Sequence, residues 1–344
     1  VIRVGIVGVN FGRTVHLPAF RTDKRCEVVA LAGSDAARTR ELAREAGVAT
    51  GHGGWEGLVE DKNIDVVAIA TLPALQPKIA IRALELGKPV FIDKPMAADV
   101  AGAKAMLDAA RRADKPTAID FEFLEVPVWQ RAKELLDGGA LGKPRHIAVN
   151  WQVENRAVQL RMRNWKTASG DGGGVLGSFI SHSFHYLEWF CGPIVSLSCR
   201  MSSIPGEDGE LETGSAIAMT FKSGITGTLA MNCASFLGSG HSIEIYGEDG
   251  TLILQNPTRD YMRGFTLHHA RRPAEALTPT VVADPEDTHG DGRIAPVARL
   301  IRRFLTATAN GEGHGTAFEQ GYRVQTLIDA ARRAHDSGRW AETA

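Results

Sequence analysis

Cysteine is scarce: Cys26, Cys191, Cys199 and Cys233 are the only four in 344 residues, and no two form a CxxC pair. That spacing offers neither a disulfide framework nor a structural zinc site, so free thiols in a reducing cytoplasm are expected. Excess charge of one sign is lacking too. Lys and Arg number 39 against 40 Asp and Glu, a formal net charge of −1, so the chain carries no electrostatic footprint for nucleic acid. Arg111-Arg112, Arg271-Arg272 and Arg302-Arg303 each stand beside apolar or acidic residues and read as solvated faces. No apolar run approaches the ~18–20 residues that a bilayer requires. The longest, around Val66–Ala70 and Val90–Ile92, are of buried-strand length. The first residues read as a core strand rather than a leader, which again points to the cytoplasm and away from a membrane. What remains is 44% hydrophobic and 23% charged, the balance of a globular chain long enough for two domains.

Two signals alternate through the first 120 residues. Apolar, β-branched runs at Ile2–Val7, Val28–Ala32, Val66–Ala70, Pro89–Ile92 and Thr117–Asp120 read as strands. Helical patterns at Ala36–Ala46, Gln76–Glu85 and Val100–Ala113 separate them, punctuated by Gly or Pro. Nearly continuous apolar strands joined by helices predict an α/β domain, a doubly wound parallel sheet covered on both faces. From Phe121 the texture changes to helix, glycine loop and helix, followed by strand runs such as "GSAIAMTFKSG" and "HSIEIYGEDG" with hairpin signals. This order predicts an α+β domain on a large, mostly antiparallel sheet. Residues 258–292 carry little periodicity and read as loop, and the last 50 return to amphipathic helix. The expected boundaries are 1–120, 121–300 and 301–344, the last packing back on the first domain.

After the first strand the chain reads Gly8-Val9-Asn10-Phe11-Gly12-Arg13. A strand turning through glycines into a helix aims backbone N–H groups and the positive end of the helix dipole at an anion, commonly a pyrophosphate. Asn10 takes the second glycine's place in the GxGxxG pattern, and Asn is the residue that best tolerates a positive φ there. Where a ribose-binding acid is expected, at the end of the second strand, stands Gly33, followed by Ser34, Asp35 and Arg38. No carboxylate would repel a 2′-phosphate, which favours NADP over NAD; the competing reading gives the acid's role to Asp35 and leaves Arg38 solvated.

Asp93-Lys94-Pro95 follows the strand that ends at Ile92, and ligands of parallel sheets collect beyond the strands' carboxyl ends. Lys94 is therefore a candidate for stabilising negative charge on a substrate oxygen. In "GDGGGVLGSFISHSFHYLEWFCG", Ser178, His182, His185 and Trp189 fall at helical spacing on one face. His182 is a candidate proton carrier. Its competing readings are a satisfied core histidine, or a metal site with His185 that has no third ligand signature.

With these residues assembled, the chain resembles the glucose–fructose oxidoreductase/inositol dehydrogenase/MocA family over nearly its whole length. The likeness rests on "VGIVGVNFGRTVHLPAF", on "VVAIATLPALQPKIAIRALELGKPVFIDKPMA", on the glycine loop and helix around His182, and on "FEQGYRVQTLIDAARRAHDSGRW". The resemblance implies an NAD(P)-dependent oxidoreductase with Lys94 and His182 as catalytic residues. It places Gly8, Asn10, Phe11, Gly12, Arg13, Ser34, Arg38, Thr71, Leu72, Pro73, Gln76, Asp93 and Lys94 along the cofactor. Candidates for the substrate are Lys94, Glu122, Arg163, Trp165, Lys166, Ser178 and His182. Asp93 replaces the Glu of the family's EKP signature, and Gln76 replaces its usual His. Ser178 replaces the Asp of its DxGxH signature, which leaves Glu122 as a compensating carboxylate.

The expected function is reversible hydride transfer at a hydroxyl carbon of a sugar, sugar derivative or cyclic polyol. Two others compete: transient nicotinamide redox giving net elimination or hydrolysis, and a non-catalytic nucleotide-binding sensor. A homo-oligomer, dimer or tetramer, is implied by the family.

Overall fold

The computed structural model describes residues 1–162, 164–167, 170, 172–206, 209–312 and 316–343. Contacts divide the chain into two units, Val1–Glu122 with Asp287–Gln325, and Phe123–Glu286 with Thr326–Ala344. Among the described residues, no helix is long and apolar enough to cross a membrane.

The first unit holds β1 (Ile2–Val7), β2 (Cys26–Gly33), β3 (Thr50–Gly53), β4 (Val66–Ile69), β5 (Val90–Ile92) and β6 (Thr117–Ile119). They form one parallel sheet in the order β3-β2-β1-β4-β5-β6. Helices α1 (Leu17–Phe20), α2 (Ala36–Glu45), α3 (Trp55–Glu60), α4 (Gln76–Glu85) and α5 (Val100–Ala113) connect the strands. β4 and β5 are buried at every residue, as expected of strands covered on both faces. Asp35 and Asp99 cap α2 and α5, each accepting a backbone N–H three residues on. Sequence periodicity left β3 unread, because "TGHG" has no apolar alternation. Pairing with β2 makes it a strand.

The second unit holds α6 (Pro127–Asp137), β7 (Pro144–Gln152), α7 (Arg156–Gln159) and α8 (Ser181–Cys191), then a run of strands. These are β8 (Ile194–Gly206), β9 (Gly209–Phe221), β10 (Thr226–Asn232), β11 (Gly240–Gly247), β12 (Gly250–Asn256), β13 (Thr266–Arg271) and β14 (Thr278–Thr280). With β15 (Ala341–Glu342) they form one sheet, β14-β13-β12-β11-β7-β10-β9-β8-β15. Every neighbouring pair is antiparallel except β7 and β10, which run parallel. Residues 258–292 are therefore not all loop. β13 and β14 lie within them, and only Leu267 of β13 is fully buried, so the strand's existence comes from pairing with β12.

One sheet face is packed with aromatics: Trp151 stacks on His241 at 4.2 Å between ring centroids, and Trp129 and Tyr186 are wholly buried beside them. The opposite face carries small and polar residues that are exposed or half-buried, in paired rows such as Glu244, Ala148, Thr228, Ala218 and Ser198. Of the two last helices, α9 (Ile294–Asn310) packs Ile301, Phe304 and Leu305 into the first unit's core, with Phe304 5.8 Å from Phe91. α10 (Thr316–Ser337) belongs to the first unit as far as Gln325 and to the second from Thr326.

Candidate active site

The turn after β1 is made possible by Gly8. Its φ is +125°, and a Cβ there would lie 2.2 Å from the carbonyl oxygen of Ala70. The positive φ expected at Asn10 thus falls on Gly8 instead. Asn10 ends the turn, its carbonyl accepting the N–H of Thr14 at 2.9 Å. That bond opens a π-helical turn, Gly12–His16, and the N–H groups that begin a helix are the ones available to an anion. A Cβ on Gly12 would meet Ile6 at 2.8 Å. Arg13 Nε donates to the carbonyl of Val9 (3.2 Å), and the Arg293 guanidinium lies 5.3 Å over the ring of Phe11. No sequence signal marked Arg293, because nothing along the chain ties it to residue 11.

At the end of β2, Gly33 is a packing requirement. A Cβ would meet Thr39 Oγ1 at 2.6 Å and Val9 Cγ1 at 3.0 Å. Ser34 is exposed, Asp35 is occupied as the cap of α2, and Arg38 pairs with Glu41 at 2.5 Å in solvent.

Beyond β4 lie Thr71, exposed Leu72 and buried Pro73; beyond β5, half-buried Asp93 and Lys94, with Lys94 joined to Pro95 by a cis peptide. Gln76 is 1% exposed, and its Nε2 donates to the carbonyls of Pro95 (2.7 Å) and Asp93 (3.0 Å). Beyond β6, Glu122 is buried. Burial, aided by Asp120 and Asp93 and opposed by Lys94, raises its carboxyl well above the ordinary range. That burial disfavours the ionised form that the compensating role expected of it requires. Nearby, His16 and Asp120 are both wholly buried, with Nε2 to Oδ2 at 3.1 Å. Burial pushes His16 down to about 4, so it is neutral.

In the second unit Trp165 is half-buried and Lys166 exposed, with Nζ 5.8 Å from the indole centroid. Arg163 lies outside the described residues. The glycine loop is fastened from β9. The Glu212 carboxylate lies against Gly174, where a Cβ would meet it at 2.6 Å, and Arg332 lies 3.4 Å from the carboxylate and 3.4 Å from the carbonyl of Gly173. Sequence reading missed both residues, which are far from the loop along the chain.

The helix expected to run unbroken to Cys191 begins instead with a π-helical turn, Leu176–Ile180, before α8. The single α-helical face from Ser178 to His182 is therefore interrupted, because the wide turn spends an extra residue. The Ser178 hydroxyl reaches back to the carbonyls of Gly174 and Lys166. His182 is buried, edge-on to the ring of Phe123 at 5.1 Å.

Residues 2–121 match the profile of an oxidoreductase family with an NAD-binding Rossmann fold, and residues 129–253 match the GFO/IDH/MocA C-terminal domain. The chain belongs to the GFO/IDH/MocA oxidoreductase family. An uncharacterized oxidoreductase of Synechocystis sp. is 31% identical, the match spanning 98% of this chain and 95% of that one. The levoglucosan dehydrogenase of Pseudarthrobacter phenanthrenivorans is 24% identical over 99% of this chain and 98% of its own. A solved levoglucosan dehydrogenase in complex with NADH shares the fold at a TM-score of 0.86, with 22% identity over 100% of this chain and 99% of that one. An oxidoreductase domain protein from Kribbella flavida does so at 0.87, with 24% identity and the same two coverages. Within this family the first unit is the NAD-binding one, and its cradle fits a dinucleotide, since Gly8 is where a side chain would collide with the sheet.

The raised Glu122 carboxyl has a consequence for stability. Its protonated form suits the fold, so the group's contribution is full below its ordinary 4.5 and is lost as pH rises through the folded value. Glu122→Gln carries no such loss. Its melting temperature is expected to match wild type at low pH and to exceed it increasingly as pH rises, by roughly 2–4 °C for each kcal/mol relieved. Thermal melts of the cofactor-free protein at acidic and alkaline pH check this, and a difference that does not grow with pH would refute it.

Proposed function

We propose that this protein is an NAD(P)-dependent dehydrogenase or reductase acting on a CH–OH carbon of a sugar, sugar derivative or cyclic polyol. The observation that carries the reading is the lysine turn beyond β5, between the Thr71–Pro73 turn beyond β4 and the buried acid beyond β6, with the glycine turn beyond β1 one strand further along. The sugar class is supported by relatives named levoglucosan dehydrogenase, D-apiose dehydrogenase and myo-inositol 2-dehydrogenase.

Bound nicotinamide supplies the acceptor or donor of the hydride. Amides of the Gly8–Gly12 turn hold the pyrophosphate, with Thr71, Leu72 and Pro73 alongside. In the oxidative direction Lys94 takes the proton of the reacting hydroxyl; in reduction its ammonium stabilises the developing alkoxide. Glu122, whose ionisation burial disfavours, offers a hydrogen bond to a substrate oxygen. Of the second unit's residues, His182 is the proton carrier, Trp165 offers a planar face to a sugar ring, and Lys166 and Ser178 offer polar contacts.

Cofactor preference follows from the end of β2. Packing bars an acid at Gly33, so no carboxylate there repels a 2′-phosphate, and NADP is favoured, with Ser34 and Arg38 as its partners. Arg38 exchanges Glu41 for the phosphate. The open face of the second unit's sheet, small and polar in paired rows, suits a second copy of the chain. A reducing cytoplasm accords with four free thiols.

Three measurements test this reading. Lys94→Ala should keep cofactor affinity and lose turnover by ~10²-fold or more; near-normal kcat on an active sugar sinks the assignment. Wild-type kcat/KM should be higher with NADPH than with NADH, and Glu41→Gln, which releases Arg38, should widen the gap several-fold, about the scale of one exposed charge contact. A wild type preferring NADH by roughly ten-fold, 1.4 kcal/mol, refutes it. Light scattering should find a dimer or tetramer that Ala218→Arg, at the middle of the open face, dissociates. A monomeric wild type would end that proposal.

A further inference from the structure

The first unit contains a device that acts on Lys94 from beneath. Sheet pairing carries β5 as far as Asp93, whose N–H donates to the carbonyl of Ile69 at 2.8 Å. From there the chain turns through Lys94, and its carbonyls at Asp93, Pro95 and Met96 converge on one side chain. Gln76 Nε2 lies 3.0, 2.7 and 3.4 Å from them. Carbonyl oxygens only accept, so the amide NH2 and not Oε1 must face them. Two of these carbonyls stand directly before and after Lys94. The turn is also held from α10, where Gly321 approaches so closely that a Cβ would lie 2.7 Å from the sulfur of Met96.

Gln76 sits at the start of α4, packed on the sheet, so the clamp is attached to a rigid element. Buried at 1% exposure, its amide gains nothing from water. Losing it would leave buried carbonyls to find other donors, and the turn would shift to expose them.

We propose that Gln76 is a positioning residue that fixes the Lys94 turn through the carbonyls of Asp93 and Pro95, and that its donors serve this turn rather than the cofactor. The inference rests on Lys94 having the role given above. Small displacements of a reacting group are expensive in rate even when binding is intact.

The test compares Gln76→Leu, Gln76→His and Gln76→Glu with Lys94→Ala. Gln76→Leu should lower kcat roughly 10- to 100-fold, the effect of a group displaced by about 1 Å. Its cofactor affinity, from nicotinamide fluorescence titration, should stay within about three-fold, because the turn after β1 is untouched. Gln76→His restores a donor and should recover much of the loss. Gln76→Glu should be poor at high pH and improve as pH falls, since only the protonated acid has an O–H to donate to a carbonyl. In the cofactor-free protein, amine labelling followed by peptide mass spectrometry should find Lys94 alone labelled faster in Gln76→Leu. If Lys94→Ala abolishes turnover while Gln76→Leu retains wild-type kcat and Lys94 labelling, the clamp is refuted and the role of Lys94 stands. If Lys94→Ala retains turnover, both fall. Should Gln76→Leu not fold, Gln76→Glu, of nearly the same shape, decides the matter: no recovery at lower pH refutes the clamp.

Discussion

At Gly8 the backbone leaves β1 and passes the carbonyl of Ala70 at a distance that no side chain permits, 2.2 Å from where a Cβ would stand. The Ala70 amide donates to the carbonyl of Val7, and the Gly8 amide to that of Ala32, so the ends of β1, β2 and β4 meet at this residue. The strand order departs in both directions from the same place, toward β2 and β3 on one side and toward β4, β5 and β6 on the other. Ligands of doubly wound sheets gather at such a switch point. The turn amides, the lysine turn and the buried acid all lie beyond the carboxyl ends of strands whose positions depend on this close approach.

Around that point the sheet buries charge in a graded way. His16 is wholly buried and neutral, its Nε2 3.1 Å from Oδ2 of the equally buried Asp120. Burial, with Asp120 and Asp93, raises the Glu122 carboxyl, and Lys94 opposes them. Burial thus shifts a histidine down and a carboxyl up within one unit, the environmental tuning that acid–base chemistry uses. In the second unit the same logic fixes backbone. Gly174, at a φ of +66°, lies against the Glu212 carboxylate just before the wide turn that leads into α8. A π-helical turn occurs in each unit, Gly12–His16 directly after the turn from Gly8 to Phe11 in one, and Leu176–Ile180, which contains Ser178 and precedes His182, in the other.

Much of this was legible along the chain. Continuous apolar strands such as Val66–Ile69 and alternating ones such as Thr226–Asn232 announce a covered parallel sheet and a half-open antiparallel one, because burial on two faces or on one dictates residue type directly. The glycine turn, the lysine before proline, the acid at 122 and the histidine at 182 were likewise readable from their places after strands or on a helix. Local chemistry determined those features: turn conformation, side-chain type and the period of burial act over a few residues. The rest depended on partners distant in sequence. The strands β3 and β13, poor in apolar pattern, exist because β2 and β12 offer them hydrogen bonds. Gly33 excludes an acid because Thr39 and Val9 fill the space, Gln76 faces carbonyls 17 to 20 residues away, and Glu212 and Arg332 secure a glycine loop neither adjoins. Composition and periodicity thus decided most of the elements and which residues are candidates for chemistry. Only packing decided what each side chain faces, because desolvation and steric exclusion depend on neighbours that the fold, and not the order of residues, brings into contact.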